Sequence, residues 1–213
     1  MSSGGPLEPG RDCPLCPRLA DFRLSWREQE PAWFNAPVPT FGELNASLLI
    51  VGLAPGLRGA NRTGRPFTGD YAGDLLYGTL LAHGFARGRY DARSDDGLEL
   101  VDAAITNAVR CVPPENKPLP TEIGLCRPFL KSLIEAMPRL SAILALGRVA
   151  HESTVAALGL SRKGAPFSHG GIHDTGKAVL YDSYHCSRYN TNTGVLTPQM
   201  FADVVGKIRR ALA

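Results

Sequence analysis

Runs of apolar residues along this chain alternate with segments in which apolar residues recur at helical spacing. Four short runs are continuously apolar or β-branched, which is typical of strands covered on both faces of a parallel sheet. We predict these strands at Leu48–Leu53, Ala103–Val109, Ala142–Leu146 and Ala178–Tyr184. The segments between and after them predict helices at Asp74–His83, Arg127–Met137, Arg148–Leu158 and Pro198–Leu212.

This alternation of strands and helices predicts an α/β fold. We expect a three-layer α/β/α sandwich around a central, mostly parallel sheet of four strands. Ligands bind such sheets at the carboxyl ends of the strands, where three long loops fall at residues 52–70, 107–118 and 185–197. Because long loops rich in Gly, Pro and Asn are more often functional than structural, we expect the site among them.

Composition, net charge and hydropathy exclude several classes of protein. A chain of 213 residues with 44% hydrophobic residues suits one globular domain, which we place at residues 13–213 after a flexible Gly/Pro/Ser-rich segment at 1–12. The net charge of +3 excludes a tail-driven nucleic-acid binder but allows a local basic patch. The chain has no secretory h-region and no apolar run near the ~18 residues of a membrane span, so we expect a soluble cytoplasmic protein without a signal peptide.

Five cysteines in such a chain favour metal binding or catalysis over disulfides. Cys13 and Cys16 form a C-x2-C pair, and Cys111 and Cys126 can complete a four-thiolate site. This spacing is shared by zinc and iron–sulfur sites and does not separate them. The alternative is four unrelated buried thiols. We interpret Cys186 as a packed thiol outside the set.

The loop after the first predicted strand is suited to close approach of a ligand. Gly52 and Gly56 allow that approach, yet the loop contains neither a Walker A motif nor G-x-G-x-x-G, which argues against triphosphate and dinucleotide binding. Phe67 can stack a base or anchor the loop in the core. Asp70 is the only carboxylate of the loop, and its other interpretation is a turn residue and helix N-cap.

Four ordered segments carry a family resemblance: CPLCPRL, GLAPG with NRTGRPFTGD, TNAVRCVPPENKP and HCSRYNTNTG. Together they resemble the iron–sulfur uracil-DNA glycosylases, from Cys13 to the C-terminal helix. In family 4 the first motif reads GEAPG and its Glu is catalytic, whereas this chain has Leu53 there. The closer resemblance is therefore to family 5, or type b, in which the Asp of the FTGD motif activates water.

The resemblance implies roles for the matching residues. Asp70 would position water and support the sugar cation, and His185 would hydrogen-bond the uracil oxygen that gains charge. The other interpretation of His185 is a satisfied histidine at a strand end. The residues implied in base binding are Gly52, Ala54, Gly56, Phe67, Asn107 and Asn116.

Asn107 matches the amide that reads the base edge in family 4, since an amide can pair with uracil O4 and N3 simultaneously. It is otherwise a buried amide bonded to nearby backbone. Arg188 would wedge into or clamp the DNA, or be a solvated loop arginine. The basic residues expected to contact DNA are Arg58, Arg62, Arg65, Lys117 and Arg188, and with Arg110 they make the three loops the basic part of the chain.

The function implied is a monofunctional uracil-DNA glycosylase of base-excision repair. It would flip uracil, and also hypoxanthine or other deaminated bases, from double-stranded DNA and hydrolyse the N-glycosidic bond. The resemblance implies a monomer with a structural [4Fe–4S] cluster on Cys13, Cys16, Cys111 and Cys126, zinc being the alternative. Two other functions stay open: a cluster-bearing protein that holds uracil or abasic DNA with little turnover, and a zinc-stapled nucleotide or nucleoside hydrolase.

Overall fold

A computed structural model describes residues 5–213. Its strands are β1 (Phe41–Gly42), β2 (Leu48–Gly52), β3 (Ala86–Arg87), β4 (Glu99–Leu100), β5 (Ala103–Asn107), β6 (Ala142–Leu146), β7 (Ile172–Asp174) and β8 (Val179–Ser183). Its helices are α1 (Pro17–Gln29), α2 (Ala60–Thr63), α3 (Tyr71–Ala82), α4 (Pro120–Ala136), α5 (Arg148–Ala157), α6 (Arg188–Asn192) and α7 (Pro198–Ala211), with a 3-10 turn at Pro114–Asn116.

The central sheet has the strand order β1-β5-β2-β6-β8-β7. The four inner strands are parallel, and they are the four strands that the apolar runs predict. The two edge strands, β1 and β7, are antiparallel and make the sheet six-stranded rather than four-stranded. They were missed because strands of two and three residues are too short to show an apolar pattern.

Helices cover both faces of the sheet, as the three-layer prediction requires. On one face α3 and α7 contact each other and bury side chains such as Leu76 and Phe201 in one apolar cluster. On the other face α4 and α5 contact each other, with Leu133 and Val155 in a second cluster. The parallel strands are therefore covered on both sides, which explains why they are continuously apolar.

The four predicted helices are present, with α3 and α4 beginning earlier than predicted. Helix α1 was missed because it is mostly polar and buries only Leu19 and Arg23. It begins at Pro17, directly after Cys16, where proline suits a first helical position. Across residues 5–213, no helix combines the length and hydropathy needed to cross a membrane.

Two residues of the segment predicted to be flexible, residues 1–12, make hydrogen bonds to the rest of the domain. The backbone N–H of Leu7 donates to Ser132 Oγ at 2.8 Å. The Glu8 carboxylate accepts from the buried Arg110 guanidinium at 2.7 Å. These contacts hold residues 7 and 8 against α4 and the loop after β5, and residues 1–4 lie outside the described part.

Candidate active site

The carboxyl ends of β2, β5 and β8 open into a cavity of about 700 Å³. All three long loops contribute to its wall. The predicted site residues that line it are Ala54, Gly56, Arg58, Phe67, Asp70, Asn107, Asn116, His185 and Arg188. Gly52, Arg62, Arg65 and Lys117 do not line it. The parallel sheet thus brings together residues that lie more than 100 positions apart in the sequence.

Asp70 is a helix N-cap, as one interpretation of it predicts, and it also lines the cavity. Its Oδ1 accepts from the backbone N–H of Gly73 at 3.3 Å and caps α3. Its Oδ2 makes no hydrogen bond within residues 5–213, and a Cβ on Gly59 would lie 2.5 Å from it. Burial raises the pKa of Asp70, while the capping N–H groups oppose that rise. One carboxylate oxygen is therefore held and the other faces the cavity.

Gly52, predicted as a base contact, does not itself line the cavity. It lies at the end of β2 behind the cavity wall, where a Cβ would approach Phe67 Cζ to 2.5 Å and would also overlap Asn107 Oδ1. Its missing side chain lets these two residues approach each other. Phe67 is packed in the core and also lines the cavity, so it anchors the loop and offers an aromatic wall.

Asn107 ends β5 and is almost fully buried at the cavity wall. Its Oδ1 is buried and has no hydrogen-bond partner within the described residues. An unpaired buried acceptor costs free energy on the order of 1–3 kcal/mol and indicates a missing donor. The alternative interpretation, an amide satisfied by neighbouring backbone, is therefore not what the structure has.

His185 follows β8 and presents an imidazole that makes no hydrogen bond within residues 5–213. Burial lowers its pKa to about 4, so the ring is neutral at pH 7. The ring centroid lies 5.9 Å from that of Phe67. Its backbone carbonyl accepts from Asn190 Nδ2 at 2.8 Å, which ties the residue to α6. A neutral imidazole with a free nitrogen can donate to a ligand oxygen.

Two exposed residues frame the mouth of the cavity. The Arg188 guanidinium lies 5.3 Å above the Tyr71 ring, a cation–π distance. Tyr71 was not predicted as a site residue; the only sequence signal for it is its place directly after Asp70. Asn116 also reaches the cavity, from a turn in which its backbone has a φ of 57°.

Arg65 is an interior residue, which corrects its predicted contact with DNA. It is only 5% exposed, and its two terminal nitrogens bond both carboxylate oxygens of Asp96 at 2.8 and 2.7 Å. Its Nε donates to Thr68 Oγ1 at 2.7 Å, and Tyr77 lies 5.5 Å beneath its plane. Arg65 therefore fixes the loop that carries Phe67 and cannot reach a phosphate.

Arg110 is likewise buried, so two of the basic residues counted on the loops face inward. Lys117 is exposed and pairs with Glu115 at 3.3 Å. The basic side chains of the loops that solvent can reach are Arg58, Arg62, Lys117 and Arg188. The positive surface near the cavity is smaller than the sequence suggests.

The ion pair of Arg65 and Asp96 predicts a specific stability change. Asp96→Asn should lower the free energy of unfolding by about 3 kcal/mol at pH 7, because it leaves Arg65 buried and uncompensated. Arg65 holds the pKa of Asp96 well below its usual range, so the stabilisation is complete above about pH 5 and is lost as pH falls toward the folded pKa. Urea unfolding at pH 7 and at pH 3 should show the difference between wild type and variant shrinking in acid.

The exposed pair of Arg87 and Glu99 supplies the control for that measurement. Glu99→Gln should change the free energy of unfolding by no more than about 0.5 kcal/mol, because exposed pairs are solvated. Equal losses for Asp96→Asn and Glu99→Gln would contradict the proposed fixing role of the pair.

The four cysteines of the predicted set come together beside the cavity. Cys111 and Cys126 are buried in a small apolar cluster, and Cys13 and Cys16 pack against it. No disulfide joins them within the described residues. No three of the four Sγ atoms lie within 4.8 Å of one another in the described chain. Four thiolates on one zinc, at about 2.3 Å each, would lie roughly 3.8 Å apart.

Arg23 is a residue of this cluster that sequence reasoning missed. It is 2% exposed on the inner face of α1. One terminal nitrogen donates to Cys111 Sγ and the other to the Cys13 carbonyl, both at 3.2 Å. Its Nε is buried without a partner, and no carboxylate of the described residues lies within 4 Å. Because a buried cation is stable only beside a negative charge, the Arg23 guanidinium requires a negative charge among the cysteines.

A second group of possible metal ligands is a hydrogen-bonded network. His151 Nδ1 lies 2.6 Å from Asp182 Oδ1, and His151 Nε2 lies 2.8 Å from the Ala165 carbonyl. Both partners offer oxygen acceptors to the ring. Burial lowers the pKa of His151, but the hydrogen bond and charge of Asp182 outweigh it and raise the pKa overall. His173 Nε2 completes the network at 3.1 Å from Asp182.

Comparison with known proteins agrees with this geometry. A family model described as the uracil DNA glycosylase superfamily matches residues 39–209. A type-5 uracil-DNA glycosylase of Thermus thermophilus is 42% identical over 209 residues, covering 93% of each chain. One of Pyrobaculum aerophilum is 39% identical and covers 95% of this chain and 88% of its own. A type-4 enzyme of the same archaeon is 36% identical over only 124 residues.

Proposed function

The chain belongs to the type-5 branch of the uracil-DNA glycosylase superfamily and is a hydrolytic glycosylase that excises uracil in DNA repair. We propose that Asp70, His185 and Asn107 carry out this reaction. The observation that carries the proposal is the convergence of three unpaired polar groups on one cavity. They are the Oδ2 of Asp70, the neutral ring of His185 and the amide of Asn107, a cavity-lining residue whose buried Oδ1 has no partner among the described residues.

Asn107 reads the edge of the base in this proposal. Its Oδ1 accepts the N3–H of uracil, and its Nδ2 donates to O4. Cytosine presents the opposite pattern at these atoms and leaves both amide groups unpaired. Hypoxanthine presents a ring N–H beside a carbonyl, as uracil does. The same amide therefore supports excision of deaminated purines from double-stranded DNA as well as uracil.

Asp70 and His185 each stabilise one of the two charges that form in the transition state. Cleavage leaves positive charge on the sugar and negative charge on the base. The free Oδ2 of Asp70 holds the attacking water and accepts its proton, and its negative charge supports the sugar cation. The neutral His185 donates a hydrogen bond to the oxygen of the departing base. Its lowered pKa keeps the ring neutral at pH 7, so His185 forms a hydrogen bond to the base without transferring its proton.

The groups at the mouth of the cavity support binding of duplex DNA. Arg58 and Arg188 are exposed beside the opening, and Tyr71 stacks under Arg188. Phosphate contacts by such side chains give affinity without reading sequence.

We propose a [4Fe–4S] cluster on Cys13, Cys16, Cys111 and Cys126. All four cysteines line one small, mostly apolar void, which supports a group held by the whole set. The buried Arg23 supplies the countercharge that such a negative group needs, and the backbone N–H of Arg110 donates to Cys126 Sγ at 3.3 Å. When bound, the cluster would link the N-terminal segment and α1 to the rest of the domain. The hydrolysis needs no electron from it.

Arg23→Gln tests this part of the proposal through the metal itself. Without the guanidinium, the negative cluster is uncompensated, so iron per chain and visible absorbance should fall to about half or less in the purified protein. Arg27→Gln removes a cation from the same helix that pairs instead with Asp12, and should keep its iron. Equal iron contents in the two variants would show that Arg23 does not support the cluster.

Asn107→Ala tests base recognition. We expect single-turnover excision of uracil to fall about a hundredfold, because the transition state loses two hydrogen bonds in a buried site. Hypoxanthine excision should fall by a similar factor if the same edge is read. Asn192→Ala, on exposed α6, is the control and should change neither rate. A loss confined to either base would contradict reading of a shared edge.

The overall proposal is tested with a panel of oligonucleotides containing U:G, U:A, single-stranded uracil and hypoxanthine. Excision from the duplexes is expected, and activity on single-stranded uracil alone would contradict it. Leu53, where family 4 has a glutamate, is the observation that favours a binding protein with little turnover. Tight binding of uracil DNA without release of the base would establish that function instead.

A further inference from the structure

A second groove, of about 440 Å³, lies on the far side of α2 from the cavity. Helix α2 separates the two: Ala60 at its start lines the cavity, and Arg62 and Thr63 at its end line the groove. The other groove residues used in the argument are Arg11, Trp33, Phe34, Arg93 and Asp95. They come from three distant segments of the chain, so only the fold assembles the groove.

The groove carries a positive charge that the protein itself does not neutralise. Arg11 and Arg62 are exposed, and neither has a carboxylate within 4 Å among residues 5–213. Arg93 pairs with Asp95 at 3.2 Å, but both side chains are more than half exposed, so water weakens the pair. Three arginines against one aspartate suit a phosphodiester backbone, which offers closely spaced negative charges.

The groove is rigidly coupled to the segment that forms the cavity. The backbone N–H groups of Phe34 and Asn35 donate to the carbonyls of Arg62 and Asn61, each at 3.0 Å. Asn61 Nδ2 also donates to Asn35 Oδ1 at 2.8 Å, in the interior. The groove and the cavity therefore keep a fixed separation.

Helix α2, which has residues in the walls of both the cavity and the groove, is as long as a short step along DNA. A four-residue helix such as α2 is about 6 Å long, which is roughly two steps of the 3.4 Å rise between base pairs. A DNA strand that runs along α2 from a flipped nucleotide in the cavity would bring neighbouring phosphates to the end of α2.

We propose that this groove binds the phosphates of the DNA backbone a few nucleotides from the flipped uracil, through Arg11, Arg62 and Arg93. The inference rests on the proposed function, since it takes the cavity as the site of the flipped base. It extends the DNA footprint beyond the three motif loops to the N-terminal segment and to residues 92–95.

The test measures binding of a long duplex with an uncleavable abasic analogue as salt is varied. The variant pair Arg11→Gln with Arg93→Gln removes one unpaired and one paired cation. We expect the slope of log affinity against log salt to fall by about 2, because each phosphate that is no longer neutralised lowers it by roughly 0.9. The control pair, Arg162→Gln with Lys163→Gln, removes the same charge beyond the end of α5, outside both the cavity and the groove, and should leave the slope near wild type.

Intrinsic fluorescence gives a second readout. The chain has two tryptophans, Trp26 and Trp33, stacked at 5.6 Å beside the groove. Their emission should change when the long duplex binds, and should not change with a duplex that ends at the abasic analogue on the groove side. Equal slopes for both variant pairs, or emission that never responds to DNA, would overturn the proposal. Because the duplex is uncleavable, these results stand whether or not uracil is excised.

Discussion

Replacing Asp70 by asparagine should lower single-turnover excision of uracil from duplex DNA by about a thousandfold. Asparagine has nearly the same shape and is also a good N-cap, so α3 and the cavity are retained. The amide oxygen, however, neither accepts the proton of the attacking water nor places a full negative charge near the sugar cation. The loss therefore falls on the chemical step and not on DNA binding.

Asp74→Asn is the matched control for this prediction. Asp74 lies one turn further along α3, is exposed and is outside the cavity. Its excision rate should stay within about twofold of wild type. Both variants should bind an abasic duplex as wild type does. If Asp70→Asn keeps more than about a tenth of the wild-type rate, Asp70 is a structural cap and another group activates the water.

Replacing Cys126 by serine should remove most of the bound iron and lower the free energy of unfolding on the order of 5 kcal/mol. In the proposed cluster, Cys126 would join α4 to the metal, while Cys13 and Cys16 would join the N-terminal segment and the start of α1. When binding of the group contributes to folding, loss of one ligand weakens all these connections. Iron analysis and visible absorbance measure the loss of iron, and urea unfolding measures the loss of stability.

Cys186→Ala is the control for that variant. Cys186 is a buried thiol of the main apolar cluster, away from the four-cysteine set, so this variant should keep its full iron content. A colourless wild-type protein with stoichiometric zinc would contradict the iron–sulfur proposal. Full iron content in Cys126→Ser would show that this residue is not a ligand.

The parts of the fold that sequence predicts are those with a repeated local signal. The β6 run of Ala142–Leu146 coincides with its observed strand because every side chain in it is buried. The edge strand β1 escapes prediction because two residues that pair antiparallel with β5 have no pattern of their own. Helix α1 escapes because its burial depends on a cysteine cluster rather than on an apolar stripe.

For the site, the sequence predicts which residue types take part but not which charged residues are buried. The loop motifs identify Asp70, Asn107 and His185, whose residue types follow from the chemistry. Arg65 carries the same charge as its exposed neighbour Arg62, and only its pairing with Asp96, a partner 31 positions away, shows that it is internal. Arg23 is equally hidden in the sequence, because nothing in α1 distinguishes an arginine facing thiols from one facing water.

The most direct test of the account is product analysis after one turnover on a U:G duplex, with wild type and Asp70→Asn in parallel. The account predicts that wild type releases free uracil and leaves an intact, alkali-labile abasic strand. It predicts that Asp70→Asn binds the same duplex and releases uracil about a thousandfold more slowly. Wild-type protein that binds the duplex and releases no free uracil would contradict the account.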